Sequence, residues 1–133
     1  MAYSDFRELQ NRRIDETFFQ KLESQRLLNS FLFGYIKLQD KMGAKLFKRV
    51  LYELGEIDTM DVAMVDILSQ LEKLNILQLD EWLRLREIRN IIAHEYPLDI
   101  ESRIQSAEAA MDGFIILREI LQRVEDAIKK RGD

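Results

Sequence analysis

Cysteine is absent from this 133-residue chain, and histidine and proline occur once each. Without cysteine there is neither a disulfide framework nor a thiolate metal site. A single histidine rules out a histidine-cluster metal site within one chain. One proline and five glycines leave little to interrupt helices. Strand signals are missing, as are internal repeats, low-complexity segments and any linker long enough to divide two domains. No apolar run is long enough to span a bilayer. The longest, Phe31-Leu32-Phe33-Gly34-Tyr35-Ile36, falls far short. Met1-Ala2-Tyr3-Ser4-Asp5 has no signal-peptide core, so the expectation is a cytoplasmic protein with no membrane partner. An excess of positive charge is lacking too: 20 Lys and Arg stand against 24 Asp and Glu, net −4. Any nucleic acid must therefore be met by a local basic patch. Nothing resembles a phosphate-binding glycine loop, a paired-carboxylate glycosidase site or a nucleophilic triad, and no cofactor is expected.

What is present is helical periodicity. Phe6, Leu9, Ile14, Phe18, Phe19 and Leu22 predict one helix over 5–24, with the pair Arg12-Arg13 as solvated surface. Leu28, Leu32, Tyr35, Met42, Leu46 and Val50 predict a long helix over 25–54, separate from the first or continuous with it. Gly34 and Gly43 within it mark a bend or a close helix contact, and Gly55 stands where a C-terminal stop belongs. Asp58 or Thr59 is expected to cap a third helix with the stripe Met60, Met64, Ile67, Leu68, Leu71, Leu74, closed by a left-handed Asn75. Asp80 is expected to cap a fourth, and Asp99 a last one running through Ile104, Ala107, Phe114, Leu117, Val124 and Ile128. Gly113 suggests close packing there. The expectation is a single all-α domain over 1–133, an up-and-down bundle of four to five helices.

The fourth helix carries the chemistry. Arg84, Arg86 and Arg89 crowd six positions, and the only histidine and proline follow at His94 and Pro97. At about 100° per residue, Arg86, Asn90 and His94 stack along one side, with Arg89 on its neighbouring edge. Leu85, Ile88, Ile91 and Ile92 fill the opposite side. Pro97 biases Tyr96 away from helical geometry, so the helix should end at or just after His94. Trp82, one turn before Arg86, either stacks on a base or, the commoner use, belongs to a core or interface. Histidine is the one side-chain type that ordinarily titrates near neutrality, so His94 is the general acid/base candidate. Arg89 supplies a bidentate cation suited to phosphate. Asn90 can orient the imidazole or donate to a phosphate oxygen. Arg84 and Arg86 are candidate RNA contacts, or else solvated or paired with Glu81 or Glu87.

The run Arg89-Asn90-Ile91-Ile92-Ala93-His94-Glu95-Tyr96 resembles the signature of the HEPN superfamily, in its HepT-like form of Arg, four residues, His, any residue, Tyr. The resemblance is specific over eight residues and architectural over the rest. It implies a HEPN-like helical fold and metal-independent RNA cleavage by a toxin. It also implies a homodimer whose two motif helices build one composite site from Arg89, Asn90 and His94. The implied partner is a minimal nucleotidyltransferase antitoxin that transfers AMP to Tyr96. The alternative is a non-catalytic HEPN-type subunit that binds a nucleotidyltransferase or its substrate. For Tyr96 the plain reading is a half-buried ring packing the helix end with a wet hydroxyl.

Overall fold

The computed structural model describes residues 2–94 and 96–132, and these are all-α, with no strand among them. The helices are α1 (Ala2–Gln10), α2 (Glu16–Gln20), α3 (Leu22–Lys41), α4 (Phe47–Glu53), α5 (Met64–Lys73), α6 (Leu79–His94) and α7 (Ile100–Gly132). One π-helical turn, Met42–Leu46, joins α3 to α4 without a break. The chain forms two compact units. The first takes Met1–Leu38 and Glu87–Phe114; the second takes Gln39–Arg86 and Ile115–Asp133.

In the first unit the helix expected over 5–24 is α1, α2 and the first turn of α3. The turn after α1 closes through Arg12 N–H to the Leu9 carbonyl, 3.0 Å. Asp15 then restarts the chain by accepting from Phe18 N–H at 3.0 Å, an N-cap that ends one helix to begin another. Arg12 is held between Glu8 and Glu23, at 2.8 and 2.9 Å, rather than simply solvated. The core is an aromatic cluster in which Phe6, Phe31 and Phe114 have centroids 5.0–6.0 Å apart, beside wholly buried Leu9 and Tyr35. At Gly34 an added Cβ would lie 2.7 Å from the Ala2 Cβ, so α1 and α3 meet with no room for a side chain.

Burial pushes the Tyr35 hydroxyl well above the usual phenol range. The folded chain therefore keeps this proton at pH values where the unfolded chain has lost it. Its contribution to stability is full below the unfolded value of about 10 and is lost as pH rises above that. Denaturant midpoints should fall from about pH 9 to about pH 11, and less steeply in Tyr35→Phe; equal slopes would remove Tyr35 as the cause.

In the second unit the Trp82 indole is 2% exposed and meets Phe47 edge-on, centroids 4.8 Å apart. It also lies against Gly43, where an added Cβ would be 3.3 Å from the ring. Gly43 thus marks a close helix contact, inside the π turn. Trp82 is core. Gly55 has φ +74 and ends α4, with Glu56 N–H returning to the Leu51 carbonyl at 2.9 Å. Asn75, φ +60, does the same for α5, with Ile76 N–H on the Leu71 carbonyl at 3.0 Å and Ile76 buried behind it. Two helix starts depart from the sequence expectation. Asp58 to Ala63 is not helical and α5 begins at Met64, because Thr59 Oγ1 accepts from Asp61 N–H at 3.2 Å and favours a turn. Asp80 lies inside the first turn of α6 rather than capping it; the Glu72 carboxylate takes the Leu79 N–H at 2.7 Å instead.

Gln39 is 2% exposed, and neither amide atom finds a hydrogen-bond partner among the described residues. A buried amide in that state costs about 1–3 kcal/mol. Gln39→Met, close to isosteric, should raise stability by about that amount in a urea titration; a loss would mean that the amide is satisfied in solution.

Candidate functional site

The sequence candidates divide between the two units. Arg84 and Arg86 belong to the second, where both are exposed and neither makes an ion pair with a described residue. Arg89, Asn90, His94 and Tyr96 belong to the first.

Helix α6 is described as far as His94, and Tyr96, which Pro97 biases away from helical geometry, lies outside any helix. Ile88, Ile91 and Ile92 are half-buried, which fixes the roll of the helix and leaves Asn90 and His94 exposed. Arg89 is half-buried and sits between those two. Its Nη1 donates to Asn90 Oδ1 at 3.4 Å and lies 3.4 Å from His94 Nε2. Both contacts are at the long end of hydrogen bonding, so they orient the groups without clamping them. A guanidinium has only donors. The Arg89–His94 contact is therefore a hydrogen bond only in the tautomer that carries its proton on Nδ1 and leaves Nε2 bare. In that form the one basic nitrogen of the imidazole, Nε2, faces a permanent cation. A phosphate replacing the imidazole as acceptor for Nη1 would sit next to a free Nε2.

Tyr96 follows α6 and is half-buried. Burial raises its hydroxyl above the usual phenol range, and the nearby Arg103 cation works against that shift. The Arg103 guanidinium lies over the Tyr96 ring, Cζ 5.7 Å from the centroid. Its Nε donates to the Pro97 carbonyl at 2.9 Å. Arg103 is placed by the start of α7, where Asp99 Oδ2 accepts from Ser102 N–H at 2.9 Å, the expected cap. That bond and the Ser102 hydroxyl hold the Asp99 carboxyl below its ordinary range. Phe19, Gln25, Leu28, Asn29, Tyr96 and Arg103 line a cleft of about 270 Å³. Sequence reasoning missed Arg103. No periodicity ties it to Tyr96, because the two meet across a turn that belongs to no helix.

Among the described residues no three His, Asp or Glu side chains gather as a metal site, and no helix is long and apolar enough to cross a membrane. No family model, no curated protein and no solved structure matches the chain.

Proposed function

We propose that the chain is a HEPN-like, HepT-type endoribonuclease that works without a metal ion. The observation that supports this reading most is the Arg89 guanidinium 3.4 Å from the Nε2 of an exposed His94 at a helix end. RNA cleavage by its own 2′-hydroxyl needs two things there. A base must take the hydroxyl proton as the oxygen attacks phosphorus, and fixed positive charge must meet the growing charge on the phosphoryl oxygens. His94 Nε2 is the base and Arg89 is the charge. Asn90 steadies the guanidinium through Oδ1 and can turn its amide N–H groups to a phosphate oxygen. The products are a 2′,3′-cyclic phosphate and a 5′-hydroxyl, and the departing oxygen needs a proton. One histidine per chain supplies a single proton-transfer group. A homodimer with two motif helices in one cleft supplies the second, and Arg84 and Arg86 of each chain offer further cations for RNA.

In this reading a minimal nucleotidyltransferase acts as antitoxin by transferring AMP from ATP to the Tyr96 oxygen, with pyrophosphate leaving. The added phosphate would compete for Arg89 and close the site to RNA. The hydroxyl is a phenol at neutral pH, so the transferase must supply the base that activates it.

The test is RNA cleavage in excess EDTA by protein whose intact mass excludes added AMP. Cyclic-phosphate ends are the expected result. No cleavage by unmodified dimeric protein, together with co-purification of a nucleotidyltransferase, would replace the nuclease with the non-catalytic subunit.

A further inference from the structure

The cleft beside Tyr96 is built unlike a phosphate site. Among the described residues no carboxylate lines it, and Arg103 is the one cation. Phe19 and Leu28 give it apolar walls, both largely buried, and Tyr96 gives it an aromatic one. Two amides, Gln25 and Asn29, supply neutral polar groups. Its volume of about 270 Å³ lies just under the range of drug-sized pockets, roughly 300–1,000 Å³, and suits one flat ring system.

The polar groups are also oriented. Arg103 is held twice, by Nε on the Pro97 carbonyl and by its cation over the Tyr96 ring. That leaves the two Nη nitrogens as a donor fork. Gln25 Nε2 donates to the Phe19 carbonyl, which sets the amide and leaves Oε1 as its acceptor. A rigid fork of donors and a separate acceptor match one base better than the others. Guanine offers O6 and N7 as paired acceptors on one edge and N–H donors on the other. Adenine puts an amino donor where O6 would be, and so opposes the fork. Single-stranded RNA is commonly read in this way, with bases turned out onto aromatic or guanidinium planes.

We infer that the cleft of Phe19, Gln25, Leu28, Asn29, Tyr96 and Arg103 is a nucleobase pocket that selects guanine, with Arg103 as the specificity-determining residue. Tyr96 is two residues from His94, so their Cα atoms lie within about 7.6 Å. That span is short enough for a base at Tyr96 and a phosphate at His94 to belong to neighbouring nucleotides. The inference rests on the RNA-cleaving reading for the choice of ligand.

The test is calorimetric titration of unmodified full-length protein with GMP, 7-deaza-GMP and AMP, which share one phosphate. GMP should bind about tenfold tighter than AMP or more. Removing N7 should bring 7-deaza-GMP down towards AMP, and Arg103→Lys, which keeps the charge without the fork, should abolish the preference. Equal binding of all three, displaced by inorganic phosphate, would make this an anion site and overturn the base assignment. So would no binding of any. The wild-type contrast decides the matter even if Arg103→Lys fails to fold. The two readings also fail separately. A GMP preference in a chain that cleaves no RNA removes the nuclease and keeps the pocket. Cleavage indifferent to exchanging guanine for 7-deazaguanine or adenine keeps the nuclease and removes the pocket.

Discussion

His94→Ala is expected to lower the rate of RNA cleavage by about 10²- to 10⁴-fold, the usual worth of a positioned acid/base group, with no loss of fold. The side chain is exposed and ends its helix, so alanine there opens no cavity. Its one described contact is the 3.4 Å approach to Arg89, too long to carry much stability. Circular dichroism and melting should therefore match wild type while single-turnover cleavage in EDTA collapses. Arg89→Ala should cost a comparable factor of about 10²–10³ by taking away charge stabilisation. The two changes together should cost little more than the worse of them, because groups that act as a unit are not additive. A fully active His94→Ala protein would sink the mechanism. Loss of activity with loss of fold would instead make His94 a helix-end structural residue.

The parts of this site that could be read from the sequence are those set by neighbours within a turn. Pro97 biases Tyr96 out of helical geometry, which places His94 near the end of α6. Gly55 and Asn75 ended their helices in the left-handed region for the same local reason, and Asp99 capped α7. Gly34 and Gly43 were readable as a bend or a close helix contact; the close contact, and the partners Ala2 and Trp82, came only from the structure. Wherever a distant group overrides the local signal, the reading failed. Asp80 has the right chemistry for a cap, yet Glu72 of the preceding helix reaches the first N–H of α6 and the helix begins two residues earlier than an Asp80 cap would allow. The helix over 5–24 failed for a local reason: Leu9 and Ile14 are five residues apart, which breaks the helical period, and the Asp15 cap starts a new helix. Arg103 lies outside every pattern, since its relation to Tyr96 depends on how the turn after α6 folds back. The weak Arg89 contacts were also out of reach: helical geometry places Arg89 on an edge, and only its side-chain conformation brings it to His94.

Trp82→Ala should destabilise the protein by about 3–5 kcal/mol, a large share of the roughly 5–15 kcal/mol available to a domain. The indole is 2% exposed and fills the space left by Gly43 on one side while meeting Phe47 edge-on at the other. Alanine would remove that ring contact and leave a void bordered by a residue with no side chain to fill it. The π turn that presents Gly43 would lose the group it packs on. Trp82→Phe keeps the aromatic contact and should cost less. Leu83→Ala, one residue along but 44% exposed, should fall within about 0.5 kcal/mol of wild type. The comparison also separates the two roles open to Trp82 from sequence alone. A core tryptophan loses denaturant midpoint on truncation and leaves RNA affinity per folded molecule unchanged. A base-stacking tryptophan would do the reverse, and a weakened complex with an unshifted midpoint would contradict the placement of Trp82 in the core.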